Sequence, residues 1–284
     1  VTLSQLMRFK DPAEGAATLA LRTGDVAGIG FYLDNDRVHV GDETTVADHA
    51  YQAWTADRAA GLDSVMLAPT RDLVSTLNVR ARADRLAVSE DKTGRQITLG
   101  DGNQASVGDV IITRRNDRHL PITSTDWVKN GDRWTIQKVM RGGAVKARHH
   151  DTGRLVTLPG DYVKTDAELG YACTVHTAQG ITTDTCHTVA SGDEARQLFY
   201  VAMTRGRQGN HVYLVTASDG DEHNVIKPES LFPPTATDIL TGILDRDQAQ
   251  RSATSLAGEL AAPTLLLREA ASRYHDALGF AAEQ

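Results

Sequence analysis

Residues 171–184 read YACTVHTAQGITTD, and residues 197–207 read QLFYVAMTRGR. The first run sets hydroxyls, an imidazole and a glycine at a strand–loop–helix junction, ahead of a strand read over 184–190 (DTCHTVA). A glycine at such a place lets the backbone approach a phosphate closely. Thr174, His176 and Thr177 carry groups of the kind that contact a nucleic-acid backbone. The second run reads as the end of a helix over 193–204, with Ala195, Leu198, Phe199 and Ala202 on one side. It delivers Arg205 and Arg207 at the helix C-terminus, where cations complement the dipole. An arginine held rigidly at a domain edge can stabilise charge on a transferring phosphoryl group. A further strand follows at 210–216 (NHVYLVT).

Upstream, 63–68 (DSVMLA) is a short apolar run between Gly61 and Pro69 and predicts a buried strand. It leads directly into a helix over 70–87 with Leu73, Leu77, Ala81 and Leu86 inward, the strand–helix alternation of an α/β fold. Nearer the start, Asp11 is placed to cap a helix with Pro12 in its first turn, Glu14 completes a capping box, and Gly24 stops it. Helix over 25–35 and strand over 37–40, ended by Gly41-Asp42, come next. Thr44 or Thr45 is read as the cap of a helix carrying Val46, Ala50, Ala53 and Trp54 on one face.

Between these α/β stretches the period changes. Short β-like runs at 96–99, 109–113, 134–139, 144–149 and 155–158 are separated by Gly-Asp, Asp-Gly, Asn-Gly and Gly-Gly turns, which predicts a small β-barrel or sandwich inserted into the α/β domain. Net charge is −7, yet residues 92–165 carry 13 Lys+Arg against 7 Asp+Glu, and the rest of the chain 17 against 30. A basic segment in an acidic chain marks a candidate nucleic-acid face. Arg114, Arg115 and Arg118 are its first DNA-contact candidates. Of the nearby aromatics, Trp134 is read as barrel core, and an exposed tryptophan there would stack a base.

Hydrophobic content of 40% and charged content of 24% are those of ordinary globular domains, and with 15 aromatics in 284 residues the core is expected to be mostly aliphatic. No run approaches the length of a membrane-spanning helix, and no signal peptide opens the chain. Cys173 and Cys186 lack the paired spacing of a zinc site and fit free thiols in a reducing compartment. The adjacent His149 and His150 would face opposite sides of a strand, so no metal site is assigned to them. The acidic run at 218–224 lacks the spacing of a calcium loop. A polar linker is read over 218–236 and helices beyond it, with Ile239, Leu240, Ile243 and Leu244 on one apolar face, Leu256 and Leu260 on another, and Leu265–Leu267 packing back.

Taken as a pair, HTAQG at 176–180 and YVAMTRGR at 200–207 resemble the fifth and sixth motifs of superfamily-1 DNA helicases of the RecD-like, 5′–3′ group, above all the helicase part of TraA/TrwC/TraI-type conjugative relaxases. LMRF at 6–9, LRTGD at 21–25, MLAPTRDLVSTLN at 66–78, GDVIITRRNDR at 108–118 and the 127–134 region agree, so the resemblance covers residues 1–217. It implies the second RecA-like domain of such a motor (a UvrD-like C-terminal domain) in two parts, 1–91 and 166–217. An SH3-like β module at 92–165 interrupts it, and a helical extension at 237–284 follows it.

The resemblance also implies roles. Arg8 and Arg205 fall where the fourth and sixth motifs supply arginines to the γ-phosphate. Gln179 and Gly180 fall in the loop that couples nucleotide to DNA, and Thr174, His176 and Thr177 where that loop touches the DNA backbone. Tyr200 is expected to pack. Thr182 stands where many relatives have a ribose-contacting acid, so no ribose contact is assigned. No G-x-x-x-x-G-K-[ST] occurs, and the acidic Mg²⁺ box is missing too. With the start at Val1, the expectation is a fragment whose N-terminal RecA-like domain, holding ATP and Mg²⁺, lies elsewhere in the same polypeptide. By itself the chain is expected to hold no cofactor and no metal and to hydrolyse no ATP. Single-stranded DNA is the expected partner, with other conjugation or DNA-processing proteins as further candidates, in the bacterial cytoplasm. The alternatives are a RecD-like repair helicase subunit and a non-catalytic helicase-like domain for DNA binding or docking.

Overall fold

A computed structural model describes residues 8–88, 94–217 and 234–248. Residues up to Asp247 form one unit, and Gln248–Gln284 a second. Residues 218–233 of the linker read over 218–236, its acidic run and the leucines read at 256–267 lie outside the described residues.

The α/β part begins with α1 (Pro12–Thr23), α2 (Ala27–Asp34), β1 (Val38–Asp42), α3 (Glu43–Ala59), β2 (Ser64–Ala68) and α4 (Arg71–Val88). Every side chain of β2 is buried, as a parallel strand covered on both faces requires. Burial of Val65, Met66 and Leu67 contributes about 1.5–3 kcal/mol each. The insertion supplies β3 (Ile97–Thr98), β4 (Gln104–Ala105), β5 (Val110–Thr113), β6 (Asp117–Pro121), β7 (Trp127–Val128), β8 (Arg133–Val139), β9 (Val145–His149), β10 (Leu155–Leu158), α5 (Gly160–Asp166) and β11 (Ala167–Leu169). The α/β part then resumes with β12 (Ala172–Thr174), β13 (Thr183–Ala190), α6 (Arg196–Ala202), β14 (Gly206–Ala217) and α7 (Ala236–Asp245).

The main sheet has the order β1-β14-β13-β2-β12, all parallel. Neighbouring residues on one strand point to opposite faces. Val189 and Tyr213 pack with Val46 and Ala50 of α3. Ala190, Val212 and Leu214 pack with α1, α2, α6 and α7 on the other side. The fold is therefore α/β, a RecA-like sheet covered by helices on both faces, with the inserted barrel at the β12 edge. In the insertion β10-β9-β8-β5-β11 form an antiparallel sheet, with β3-β4 and β6-β7 as separate ribbons. Trp134, Ile136, Val145, Ala147 and Leu158 fill its core. The register of β8 on β9 shifts between Ile136 and Lys138, which is why Gln137 and Lys138 are both exposed. The return point is Gly170, where a Cβ would lie 2.8 Å from the carbonyl carbon of Ile111.

Buried ion pairs join the insertion to the α/β part. Asp109, fully buried at the start of β5, accepts from Arg82 Nε (3.1 Å) and Arg85 Nε (2.7 Å) of α4 and from Tyr171 Oη (2.6 Å). Arg133 of β8 reaches Asp63 (3.1 Å) and donates to the Ser64 carbonyl oxygen (3.1 Å).

Several local expectations are corrected. Asp11 caps α1, but Glu14 turns away from the cap and accepts from Asn210 N (3.0 Å) and Nδ2 (2.8 Å) in the core. The α3 cap is Asp42, which accepts from Thr45 N, rather than either threonine. The core is mostly aliphatic, as expected, although Trp134, Tyr171 and Tyr213 are among its largest fully buried side chains. On α7, Leu240, Ile243 and Leu244 are buried, as their spacing predicts, behind a Thr235–Asp238 capping box. No helix among the described residues is long and apolar enough to cross a membrane.

Candidate functional site

The segment 175–182 leaves Thr174 at the carboxyl end of β12 and enters β13 at Thr183. Both strands run parallel to β2 on its two sides. The segment must therefore travel the length of the sheet, from its carboxyl edge back to its amino edge. It is a strand–loop–strand connection, not the expected strand–loop–helix, because Val175, Ala178 and Ile181 are buried in a cluster with Val65, Leu67 and Ala202. Hydrogen bonds from Ala178 N to Thr174 O, four residues back, and from Ile181 N to Ala178 O, three back (both 3.0 Å), wind it into successive turns. His176, Gln179 and Gly180 are left exposed, and Thr177 half-exposed. Gly180 adopts φ +99°, a region that favours glycine.

At the carboxyl end the structure brings together Thr174, Thr177 and Arg114. Arg114 Nη1 donates to Thr177 Oγ1 (2.7 Å), and the two threonine hydroxyls are 3.1 Å apart. Arg114 also pairs with Glu168 (3.3 Å). With His176, Arg71 and Asn78 they line a groove of about 640 Å³ between α4, β12 and the barrel. Arg115 and Arg118 do not join them. Arg115 pairs with Asp166 (3.0 Å), and Arg118 lies over Trp127, 4.8 Å from the ring centroid. Successive residues leaving β5 diverge, so the three arginines do not share one wall.

At the amino end stands Arg205. Helix α6 stops at Ala202, so Arg205 lies in the turn beyond it and Arg207 is already in β14, paired with Asp184 (3.1 Å). Arg205 is buried. Its Nε donates to Val201 O (2.8 Å), its Nη1 to Ala178 O (3.1 Å) and Ile181 O (3.2 Å), and its Nη2 to Thr204 Oγ1 (2.6 Å). Among the described residues no carboxylate lies within ion-pair distance. Burial, with the Arg8 charge added, holds its pKa down at about 10, and the group stays cationic at neutral pH. Exposed Arg8 reaches the same turn through Thr204 O (2.8 Å). Arg8, Arg205, Gln179 and Gly180 thus gather at one end of the loop, and Arg114, Thr174, His176 and Thr177 at the other.

The remaining candidates are structural. Cys173 and Cys186 are buried free thiols pushed up to about 12 by burial. His149 packs on Trp134, while His150 meets Asp63 through Nδ1 (3.1 Å). Sequence reasoning missed two clusters. One is Asp63–Arg133–His150. The other is a column of His39, His211 and His187 across β1, β14 and β13, with Arg37 on the middle ring and Asp57 on His187. Neither has a local pattern, because each is assembled from strands distant in sequence.

The family model for the Rv2311 SH3-like barrel domain matches residues 97–168. The chain is 35% identical over 130 residues to the uncharacterized protein Rv2311 of Mycobacterium tuberculosis, an alignment spanning 45% of this chain and 72% of that one. The chain belongs to the Rv2311 family. It is also 28% identical over 226 residues, 74% of its length, to the conjugal transfer protein TraA of Agrobacterium fabrum, of which the alignment spans 19%. Among solved structures, Bacteroides Pif1 bound to single-stranded DNA superposes with a TM-score of 0.48 at 17% identity, covering 81% of this chain and 55% of that one. In this member of the Rv2311 family the barrel is inserted between α4 and β12 of the α/β domain.

Proposed function

We propose that the chain is the C-terminal motor portion of an ATP-dependent 5′–3′ DNA helicase acting in conjugal transfer. Single-stranded DNA lies in the Arg114–Thr177 groove, and Arg8 and Arg205 face the γ-phosphate of ATP held with Mg²⁺ by another RecA-like domain. The observation that carries this reading is the continuity of residues 174–182. One short segment has at one end a groove lined by hydroxyls and by Arg71 and Arg114 and, at the other, a buried guanidinium with no carboxylate partner among the described residues. A strand pulling on Thr177 acts on a segment whose carbonyls hold Arg205. DNA contact and phosphate sensing are then linked through a single stretch of backbone.

The test is anisotropy of a labelled single-stranded oligonucleotide with this chain at two salt concentrations. Binding that weakens steeply with salt is expected, and Thr177→Val and His176→Ala each weaken it. No binding at low salt overturns the groove assignment. ATP turnover by the chain alone is expected to be nil, and DNA-stimulated turnover would contradict the half-site. The hydrogen bonds that Arg205 already makes within the chain, three to carbonyls and one to the Thr204 hydroxyl, favour one second reading, a helicase-like domain that binds DNA or docks without hydrolysis. ATPase activity of a protein carrying both RecA-like domains separates the two. It falls with Arg205→Lys if the arginine serves the nucleotide, and is unchanged if Arg205 only braces the loop.

A further inference from the structure

The chain has three tryptophans. Trp54 and Trp134 are 5% and 0% exposed, whereas Trp127 keeps part of its surface in solvent. Trp127 lies in the β6–β7 ribbon, which pairs outside the five-stranded barrel sheet. Two cations face its ring, with the Arg118 guanidinium carbon 4.8 Å and Lys129 Nζ 5.8 Å from the centroid. Lys129 is neutralised by Asp126 at 2.6 Å. Arg118 is exposed, and no carboxylate among the described residues pairs with it. The ribbon therefore presents a part-exposed indole with a guanidinium over its face and an uncompensated positive charge.

Unpaired bases stack on aromatic rings and on guanidinium planes, and phosphates seek free arginine charge. We infer that Trp127 and Arg118 form a base-stacking subsite for single-stranded nucleic acid, separate from the groove. One base stacks on the indole–guanidinium pair, and the adjoining phosphate takes up the charge of Arg118. The position suits a continuation of the track. Four residues on, Gly131 lies against Thr177 O and Gln179 O, where a Cβ would sit 3.4 and 3.6 Å away. At most about 14 Å of extended chain separates Trp127 from that contact. The inference rests on the proposed occupancy of the groove by a single strand, and it adds a discrimination that the groove lacks. Hydroxyls and an arginine grip a backbone whether its bases are paired or not, whereas a stacking platform requires a free base.

The burial pattern supplies the readout. Because the other two tryptophans are interior, a change of indole emission on adding unlabelled oligothymidylate reports position 127. Emission is followed in parallel with the anisotropy of a labelled oligonucleotide. The expected result is quenching that saturates together with the anisotropy signal, and no quenching by a blunt duplex of equal length. Trp127→Phe should bind within a few-fold of the parent without the emission change, and Trp127→Ala should bind about tenfold more weakly. Binding by anisotropy with tryptophan emission unchanged, and Trp127→Ala equal to the parent, overturns the subsite while leaving the groove intact. No anisotropy change at low salt overturns both.

Discussion

The two ends of the 175–182 loop each rest on an arginine, and the two arginines are solvated in opposite ways. Arg114 is part-exposed, shares its charge with Glu168 and spends one donor on Thr177. Arg205 is buried and solvated by backbone carbonyls and a hydroxyl. A carboxylate-paired arginine in water exchanges one anion for another at little cost, because the ion pair contributes little to stability. A buried guanidinium ringed by carbonyls braces the fold through its hydrogen bonds and keeps its charge unspent. The same side chain is an exchangeable contact at one end and a staple with unspent charge at the other.

The comparison can be broken most forcefully at Arg205. Arg205→Ala removes the guanidinium donor from Ile181 O, and a donor from Ala178 O and Val201 O, which keep Ile181 N and Thr204, and is expected to cost about 3 kcal/mol. That is a fall of about 6–12 °C in Tm by calorimetry. A Tm within 2 °C of the parent would mean that the loop holds its own shape.

The histidine column poses the same question at smaller scale. His187 has Asp57 at 2.8 Å, whereas its neighbour His211 meets Arg37. Burial first, then His187 and Arg37, push His211 down to about 3. In the unfolded chain it titrates near pH 6.5. Below that value the unfolded state takes the proton and the folded state does not, so stability is lost as pH falls from about 6.5 towards 3. The slope is at most about 1.4 kcal/mol per pH unit from this group. Urea midpoints at pH 7 and pH 5 should differ accordingly, and less so in His211→Asn. An unchanged slope in the variant would assign the loss elsewhere.

The smallest effect on stability is expected at Arg114. Arg114→Ala should alter it by less than about 1 kcal/mol, while lowering the salt slope of oligonucleotide binding by about one. Loss of stability comparable with that of Arg205→Ala would erase the distinction between the two ends.

Much of this arrangement is legible in the chain. The buried strand at 64–68 and the helix after it follow from apolar spacing, and the β module from its turns. The motif pair locates the loop. Other features depend on partners far along the chain. Strand β12 is three residues long and hides inside the motif, defined by its pairing with β2. Glu14 is a good capping residue by local rules, and a buried amide from Asn210 outbids the cap. The β6–β7 ribbon around DRHLP, with a proline and little alternation, has no strand signal of its own. Arg205 reads as a solvent-facing residue after a helix, and its burial is decided by carbonyls of a loop some 25 residues upstream.

One geometric detail limits how such chains can diverge. Because Val175, Ala178 and Ile181 recur every third residue, each outward group of the loop holds its direction only through that spacing. Deleting one residue between Thr174 and Thr183 would turn polar side chains towards the sheet and an apolar one towards the solvent. Gains or losses of three would preserve every facing. Length variation at this position should therefore come in triplets of residues, and a homologue one residue shorter must have rebuilt the whole inner row.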